Sequence, residues 1–276
     1  MPAISRGSRP PARPCRRRRT WPSSTRAFSP PFPSTPAATP CRRAGTANTA
    51  SGKYGFHGLS HHYVALRAAE LLNRKASETN LITVHLGGGC SMTAVRAGGP
   101  VDHSMGMTPM EGLMMGTRSG DVDPGAVLYM QRKGMSAEQV DEALNFQSGL
   151  LGVSGVSADM RDILSAADRG DARAELSVAM FVYRIVKYVG AYYTVLPAVH
   201  AVVLTGGIGE NSRQIRRRIV LGLSRLGAEL DDGRNNATVG GQAGAITTDG
   251  SELAVWVVPT DEELMIARQT VRAVSG

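Results

Sequence analysis

The sequence predicts an α/β domain, on three observations. An apolar β-type run, Leu81–Leu86, ends in three consecutive glycines, and Ser91–Arg96 then resume a strand-like pattern. A second run, Ala201–Thr205, ends in Gly206, Gly207, Ile208 and Gly209. Stretches of helical period lie before, between and after these runs, and strands alternating with helices pack as the layers of an α/β domain. Glycine bends after strands let backbone N–H groups approach a phosphate closely, because no Cβ stands in the way. The two bends are therefore read as a pair that clasps one nucleotide from opposite ends of the domain.

Order is expected from Lys53. Tyr54–Gly58 form an aromatic–glycine loop, and Ser60 is expected to cap a helix to about Asn73, with Val64, Leu66, Ala68, Leu71 and Leu72 available for burial. The hairpin follows at 81–96, then a loop rich in Gly and Met over His103–Asp121. Asp123 before Pro124 is a helix start, with Gly134 as the stop, and Ser136 with Gln139 makes a capping box for a short helix to about Leu144. Leu150–Asp162 is turn-rich and leads into a helix. A long helix spans Ala172–Leu196, with Leu176, Met180, Tyr183, Val186, Lys187, Gly190, Tyr193 and Leu196 at helical spacing and Pro197 as its end. Ser212 caps a helix to about Leu226, residues 228–258 read as short strands and turns, and Asp261 caps a last helix over Glu262–Ala273.

The formal charge of +8 is concentrated in one segment. Residues 1–50 hold ten Arg, ten of the fifteen Pro, two of the three Cys and no acidic residue, leaving 21 basic and 23 acidic residues in the rest. The part expected to fold is near neutral, so the charge does not argue for nucleic acid binding by that part. Residues 1–52 are expected to be disordered, since prolines interrupt any helix and no apolar period exists. A basic arm for nucleic acid centred on Arg16–Arg19, an organelle transit peptide, and a segment without selected structure are the three readings, and the last is preferred. Cys15, Cys41 and Cys90 make no disulfide framework and have no metal-ligand spacing, which points to a reducing cytoplasm. No run of apolar residues is long enough to span a membrane.

Neither glycine turn is a Walker A or a GxGxxG motif. Taken singly, each has a structural reading as good as its functional one; together they suggest a cleft with phosphates at one lip and a nucleoside at the other. Glu210 and Asn211 sit at the second turn with polar side chains suited to a base or ribose, and a helix start at Ser212 favours anions. Arg118, within Gly116–Gly120, suits a phosphoryl group or carboxylate, or a surface ion pair. His57 could donate to a transferring phosphoryl group, or be a satisfied core histidine. His61 and His62 are read as helix surface. Asp159 and Arg161 could flank a nucleotide or pair with each other, and Glu262 could reach a hydrated Mg²⁺ or complement a helix dipole.

The segments YGFHGLSHHYV (54–64), VHLGGG (84–89), TPMEGLMMGTRSGDVDPG (108–125), SGVSADMRD (154–162), LTGGIGENS (204–212) and PTDEELMIAR (259–268) occur in the order seen in acetate kinases. The resemblance runs from Lys53 to Arg272. It implies an acetokinase-type, actin-like ATPase fold with a mixed sheet and flanking helices, in which the N-terminal domain is largely missing. It further implies reversible transfer of the ATP γ-phosphoryl group to acetate, giving acetyl phosphate and ADP with Mg²⁺ (or Mn²⁺), in a homodimer. His57 resembles the family's transition-state histidine and Arg118 its arginine on the transferring group. The nucleotide contacts fall on His85, Leu86, Gly87, Gly88 and Gly89, on Asp159, Met160 and Arg161, and on Gly207, Ile208, Gly209, Glu210 and Asn211. Glu262 resembles the metal-associated glutamate.

Two departures stand out. The family has asparagine where this chain has Gly88, which keeps the backbone donors and loses a side-chain amide. Residues 1–52 match none of the family's N-terminal Asn, Ser, Lys, Arg and Asp positions. An out-of-frame segment or misplaced start joined to residues 53–276 is the expected explanation, with impaired catalysis as its consequence. Propionate or short-chain acyl kinase is the near alternative, and a non-catalytic nucleotide-binding half-domain that dimerises is the more distant one. A nucleic acid binder acting through the basic tail is a third.

Overall fold

The computed structural model describes residues 53–275. The Arg- and Pro-rich segment 1–52, with its expected disorder and reading frame, lies outside the described residues.

The centre is a six-stranded mixed sheet. Its strands are β1 (Leu81–Leu86), β2 (Cys90–Arg96), β3 (Gly99–His103), β4 (Ala201–Thr205), β5 (Gly244–Ala245) and β6 (Val255–Val257). The order is β3-β2-β1-β4-β6-β5. β1, β4 and β6 run parallel, while β2, β3 and β5 pair antiparallel at the two margins. Ten α-helices surround the described sheet: α1 (Gly58–Leu71), α2 (Pro124–Arg132), α3 (Ala137–Phe146), α4 (Gly149–Ser154), α5 (Met160–Asp168), α6 (Ala172–Val195), α7 (Gly206–Asn211), α8 (Arg213–Gly222), α9 (Asp232–Ala237) and α10 (Glu262–Ser275).

Strand alternation divides the core in two. Ile82, Val84 and Leu86 of β1 join Val202 and Leu204 of β4 in a large core with α4, α5, α6 and α8. Leu81, Ala201 and Val203 turn the other way, onto Val64, Ala65 and Ala68 of α1. Each fully buried aliphatic side chain stabilises by roughly 1.5–3 kcal/mol, so the central pair β1–β4 is fixed from both faces. The same alternation turns Thr83 and His85 toward α1, where His61 and Ser60 meet them.

Several expected elements differ. α1 begins at Gly58, not after Ser60: its N-cap is His57, and Ser60 sits in the first turn with its hydroxyl on His85 Nδ1. Helices α4 and α9 replace stretches read as turn-rich, and strand β3 fills a stretch between the expected hairpin and loop to which the sequence assigns no element; each is short, so few residues carry a period. The second glycine turn is itself helical as α7, and Ser212 starts α8 immediately after it. On α6 the buried face is Ala174, Ser177, Val178, Phe181, Ile185, Val189 and Tyr192. Of the residues noted at helical spacing, Leu196 is buried, whereas Leu176, Met180, Tyr183 and Tyr193 are exposed. Both faces are apolar, so period cannot choose between them; contact with α4, α5 and α8 does. The Asp123–Pro124 helix start and the Ser136–Gln139 capping box form as expected.

Gly206 has φ +76°, and a Cβ there would lie 2.7 Å from the Leu86 carbonyl oxygen. Gly207, one residue on, has open space around its Cβ position. Gly206→Ala is expected to destabilise by more than about 1 kcal/mol, while Gly207→Ala leaves the denaturant midpoint unchanged or slightly raised. Equal midpoints for the two variants would show that the turn does not depend on that backbone approach.

Candidate active site

The parallel register pairs His85 with Thr205, so both glycine turns leave the sheet side by side at the same end. They are neighbours, not elements at opposite ends of the domain. In open α/β sheets this carboxyl end of parallel strands is where ligands bind. The first turn is closed by Gly87 N–H donating to the Gly89 carbonyl (3.0 Å), and Gly116 N–H holds the Gly88 carbonyl (3.1 Å). A cleft of about 1220 Å³ opens beside them.

Three of the sequence-predicted segments meet on its wall. Gly87 and Gly88 come from the first turn, Asp159, Met160 and Arg161 from the start of α5, and Gly207, Ile208 and Asn211 from α7. Asp159 caps α5 by accepting from Arg161 N–H, and its carboxylate also pairs with the Arg161 guanidinium at 2.5 Å. That hydrogen-bonded guanidinium holds the Asp159 carboxyl down at about 2. The two residues thus pair with each other and line the cleft at once.

Other predicted residues stand back from the wall. Leu86 is fully buried in the core, and Gly209 is buried within α7. The side chain of Glu210 turns inward: its Oε1 accepts from Thr205 Oγ1 (3.2 Å), Gly206 N–H (2.9 Å) and Thr260 N–H (3.1 Å). It braces the turn against the irregular segment that leads into α10. Asn211 Nδ2 donates to the Gly207 carbonyl, on the exposed side of α7. Glu262 opens α10, half-buried, and burial pushes its carboxyl above the usual range.

His57 and Arg118 converge at Gly89. A Cβ there would lie 3.3 Å from His57 Nε2, a tight approach, and 3.7 Å from Arg118 Nη1, an ordinary contact, so glycine leaves both groups room beside the backbone. Arg118 Nη1 donates to the Pro109 carbonyl (2.9 Å). His57 sits in the left-handed region at φ 50°, ψ 31°. Such strain in a non-glycine residue costs of order 1–3 kcal/mol and concentrates at functional sites. The ring stacks on His85 at 4.3 Å with 16° between planes, and its Nδ1 lies 2.8 Å from Ser91 Oγ.

Two groups of residues went unnoticed in the sequence. The far cleft wall includes Leu164, Ser165 and Asp168 of α5 and Arg213 and Gln214 of α8. Continuing the face of Arg161 by three, four and seven residues along α5 would have found the first three. His61, read as surface, is fully buried and lies against Thr83, Ser91 and His103; His62 is half-buried. The signal was strand period: Thr83 and His85 share the face that α1 covers. His103 accepts from Met105 N–H at Nδ1 and reaches the Phe56 carbonyl with Nε2. Burial lowers all four imidazoles, His57 and His103 to about 4, His85 to about 3 and His61 well below its ordinary value, with the Arg118 charge adding to the effect at His57. Burial also lifts the Cys90 thiol to about 12, so it is inert.

Comparisons with known proteins give the family. The model of the acetokinase family matches residues 27–268, a span that begins upstream of Lys53. The acetate kinase of Dictyoglomus thermophilum is 50% identical over 223 residues, covering 80% of this chain and 55% of its relative. Among solved structures, the acetate kinase of Porphyromonas gingivalis superposes with a TM-score of 0.86 at 42% identity, over 91% of this chain and 63% of that one. A propionate kinase from Francisella tularensis superposes with a TM-score of 0.80 at 40% identity, over 86% and 60%. The chain belongs to the acetokinase family. It spans about half the length of the curated relatives it matches, 55% of the Dictyoglomus enzyme.

The lowered imidazoles set a pH dependence. The unfolded histidines take up protons near the ordinary value of 6.5, whereas the folded ones remain neutral until about 4 or below. Between those limits the unfolded state holds more protons, so stability is complete above 6.5 and is lost as pH falls through the window. Each such histidine contributes about 1.4 kcal/mol per pH unit there. Urea midpoints measured between neutral pH and pH 5 are expected to fall with an uptake on the order of three protons. A flat profile would mean that the folded and unfolded states bind protons equally across this range.

Proposed function

We propose that this chain carries the nucleotide-binding part of an acetate kinase, which transfers the γ-phosphoryl group of ATP reversibly to acetate. The convergence of His57 and Arg118 on Gly89, at the end of a cleft walled by two glycine turns, carries the proposal. Nucleoside and diphosphate lie along Asp159–Arg161, Gly207–Asn211 and Gly87–Gly88, with the γ-phosphoryl group toward Gly89. An acetate oxygen attacks the phosphorus as the bond to the β–γ bridging oxygen breaks, leaving ADP and acetyl phosphate. Such transfer depends on positioning and charge stabilisation more than on proton movement. Arg118 supplies the positive charge and forked donors; His57, neutral at physiological pH, supplies a hydrogen bond.

The family's Mg²⁺ fits one residue here. Glu262 is a partly desolvated carboxylate, and among the described residues no group of three or more His, Cys, Asp or Glu is placed to hold a metal. Mg²⁺ is commonly bound by one or two carboxylates plus phosphates and water, so Glu262 would hold it while the ion neutralises phosphate charge. A propionate-selective enzyme is the second reading, favoured by the propionate kinase neighbour. A homodimer is supported by the exposed apolar stripe Leu176, Met180 and Tyr183 on α6. No described helix is long and apolar enough to cross a membrane, and we place the protein in the cytoplasm, without a nucleic acid partner.

A chain spanning about half of its relatives is expected to bind nucleotide and to turn over slowly or not at all. Formation of acetyl phosphate by the purified chain, followed by hydroxamate trapping, tests this, and a rate in the usual kinase range, about 1–100 s⁻¹, refutes the impairment.

In a full-length context, Arg118→Ala is expected to lower kcat by about 10³-fold or more with little change in the acetate KM. An effect confined to KM would place Arg118 outside the transition state. Position 88 has open space for a side chain. Gly88→Asn is expected to tighten ATP binding by about fivefold, the worth of one hydrogen bond. Calorimetric titration with MgATP reads this, and unchanged affinity removes position 88 from the phosphates.

A further inference from the structure

Glu210 ties three points of the chain to one oxygen. Its Oε1 accepts from the Thr205 hydroxyl at 3.2 Å, from Gly206 N–H at 2.9 Å and from Thr260 N–H at 3.1 Å. A backbone N–H can only donate, so the direction of the last two bonds is fixed. Thr205 ends β4 and Gly206 begins α7, while Thr260 lies two residues before Glu262, where α10 begins. The main chain of Glu210 is held as well, its carbonyl accepting from Arg216 Nη1. Sheet pairing carries the two chains as far as Leu204 and Val258, where Val258 N–H donates to the Leu204 carbonyl (3.0 Å). Thr260 meets Glu210 just beyond that point, as its segment passes from strand to helix. Asp261 then caps α10 by accepting from Leu264 N–H (2.9 Å).

We propose that Glu210 is a positioning residue that couples the second glycine turn to the start of α10, so that the α7 wall of the cleft and Glu262 move as one body. On one side of the brace, Gly207, Ile208 and Asn211 line the cleft. On the other side, two residues past Thr260, stands Glu262. Strand pairing ends before either turn is complete, and the carboxylate spans the gap that it leaves. Hydrogen bonds to a carboxylate are roughly twice as strong as those between neutral groups, which suits an acceptor shared by three donors. That Glu262 serves a metal ion rests on the acetate kinase function proposed above; the coupling of the two elements does not.

Amide hydrogen exchange of the full chain near neutral pH reads the coupling without any ligand. Glu210→Ala is expected to speed exchange about tenfold or more at Gly206 and Thr260 and, across the brace, at Leu264 in the first turn of α10. The amides of the β2–β3 pair are expected unmoved, which separates a local loosening from loss of the fold. Glu210→Gln, which keeps Oε1, retains the protection. If Glu210→Ala does not fold, Glu210→Asp, one methylene shorter, is expected to show the same three-site acceleration. Faster exchange at Gly206 with Leu264 unchanged, or a Gln variant that exchanges like Ala, overturns the coupling. A second measurement titrates ADP with and without Mn²⁺. Glu210→Ala is expected to cut the gain in ADP affinity that Mn²⁺ brings, and to have no such effect in a Glu262→Gln background, because the effect passes through Glu262. A cut that persists in that background overturns the proposal. If exchange follows the expected pattern and ADP does not bind, the coupling stands and the phosphoryl-transfer function fails.

Discussion

The parallel register of β1 with β4 is the constraint on which the site depends. It ends two strands level with each other, so that Leu86 and Thr205 deliver their glycines to one edge of the sheet. Gly206 then lies against the Leu86 carbonyl at a distance no Cβ could share. That backbone contact locks the first turn to the second. Everything placed by either turn, from Gly87 and Gly88 on one wall to α7 on the other, inherits its position from it. A hairpin alone would give a phosphate loop; the crossover to β4 adds the second wall.

The other face of the same strand explains the chemistry. Thr83 and His85 interrupt an otherwise apolar strand, and α1 covers them with Ser60 and His61. Buried polar groups are costly unless satisfied, at roughly 1–3 kcal/mol each by mutational measures. Here they satisfy one another through side-chain contacts of 2.7–2.9 Å. An apolar core of the same volume would be simpler to stabilise. The outer member of the cluster, His57, is also the residue held in a strained backbone conformation against Gly89, which follows the cleft-lining Gly87 and Gly88.

Legibility from sequence followed how local each signal is. The strand–glycine pairs, the Asp123–Pro124 start and the Ser136–Gln139 box are written within a few residues, and all form. The mixed α/β class and the family followed from such segments in order. The inward face of α6 was illegible because the helix is apolar on two sides and only its partners choose. Glu210 illustrates a different limit. Its type and place suggested a ligand contact, but three donors converge on its Oε1 from Thr205, Gly206 and Thr260, the last from 50 residues away in sequence. His61 was misplaced because the helix pattern of α1 was weighed without the polar face of β1 that it covers.

Arg216 braces the α7 wall of the cleft from within. Its guanidinium is fully buried, and its contacts there are oxygens: Asn235 Oδ1 at 2.8 Å, the Asn235 carbonyl at 2.6 Å, and the carbonyls of Glu210 and Gly209 at 2.5 and 3.3 Å. Burial lowers it only to about 10, so it stays charged at neutral pH. Gly209 and Glu210 lie in the last turn of α7, where carbonyls lack helical partners and a cation is favoured. The clamp therefore shapes the α7 wall before any ligand arrives, and a preformed wall reduces the ordering cost of binding. Arg118, by contrast, is tethered through one nitrogen to the Pro109 carbonyl on a loop. A preformed α7 wall beside a guanidinium held through one nitrogen is the arrangement that the phosphoryl transfer proposed above would use.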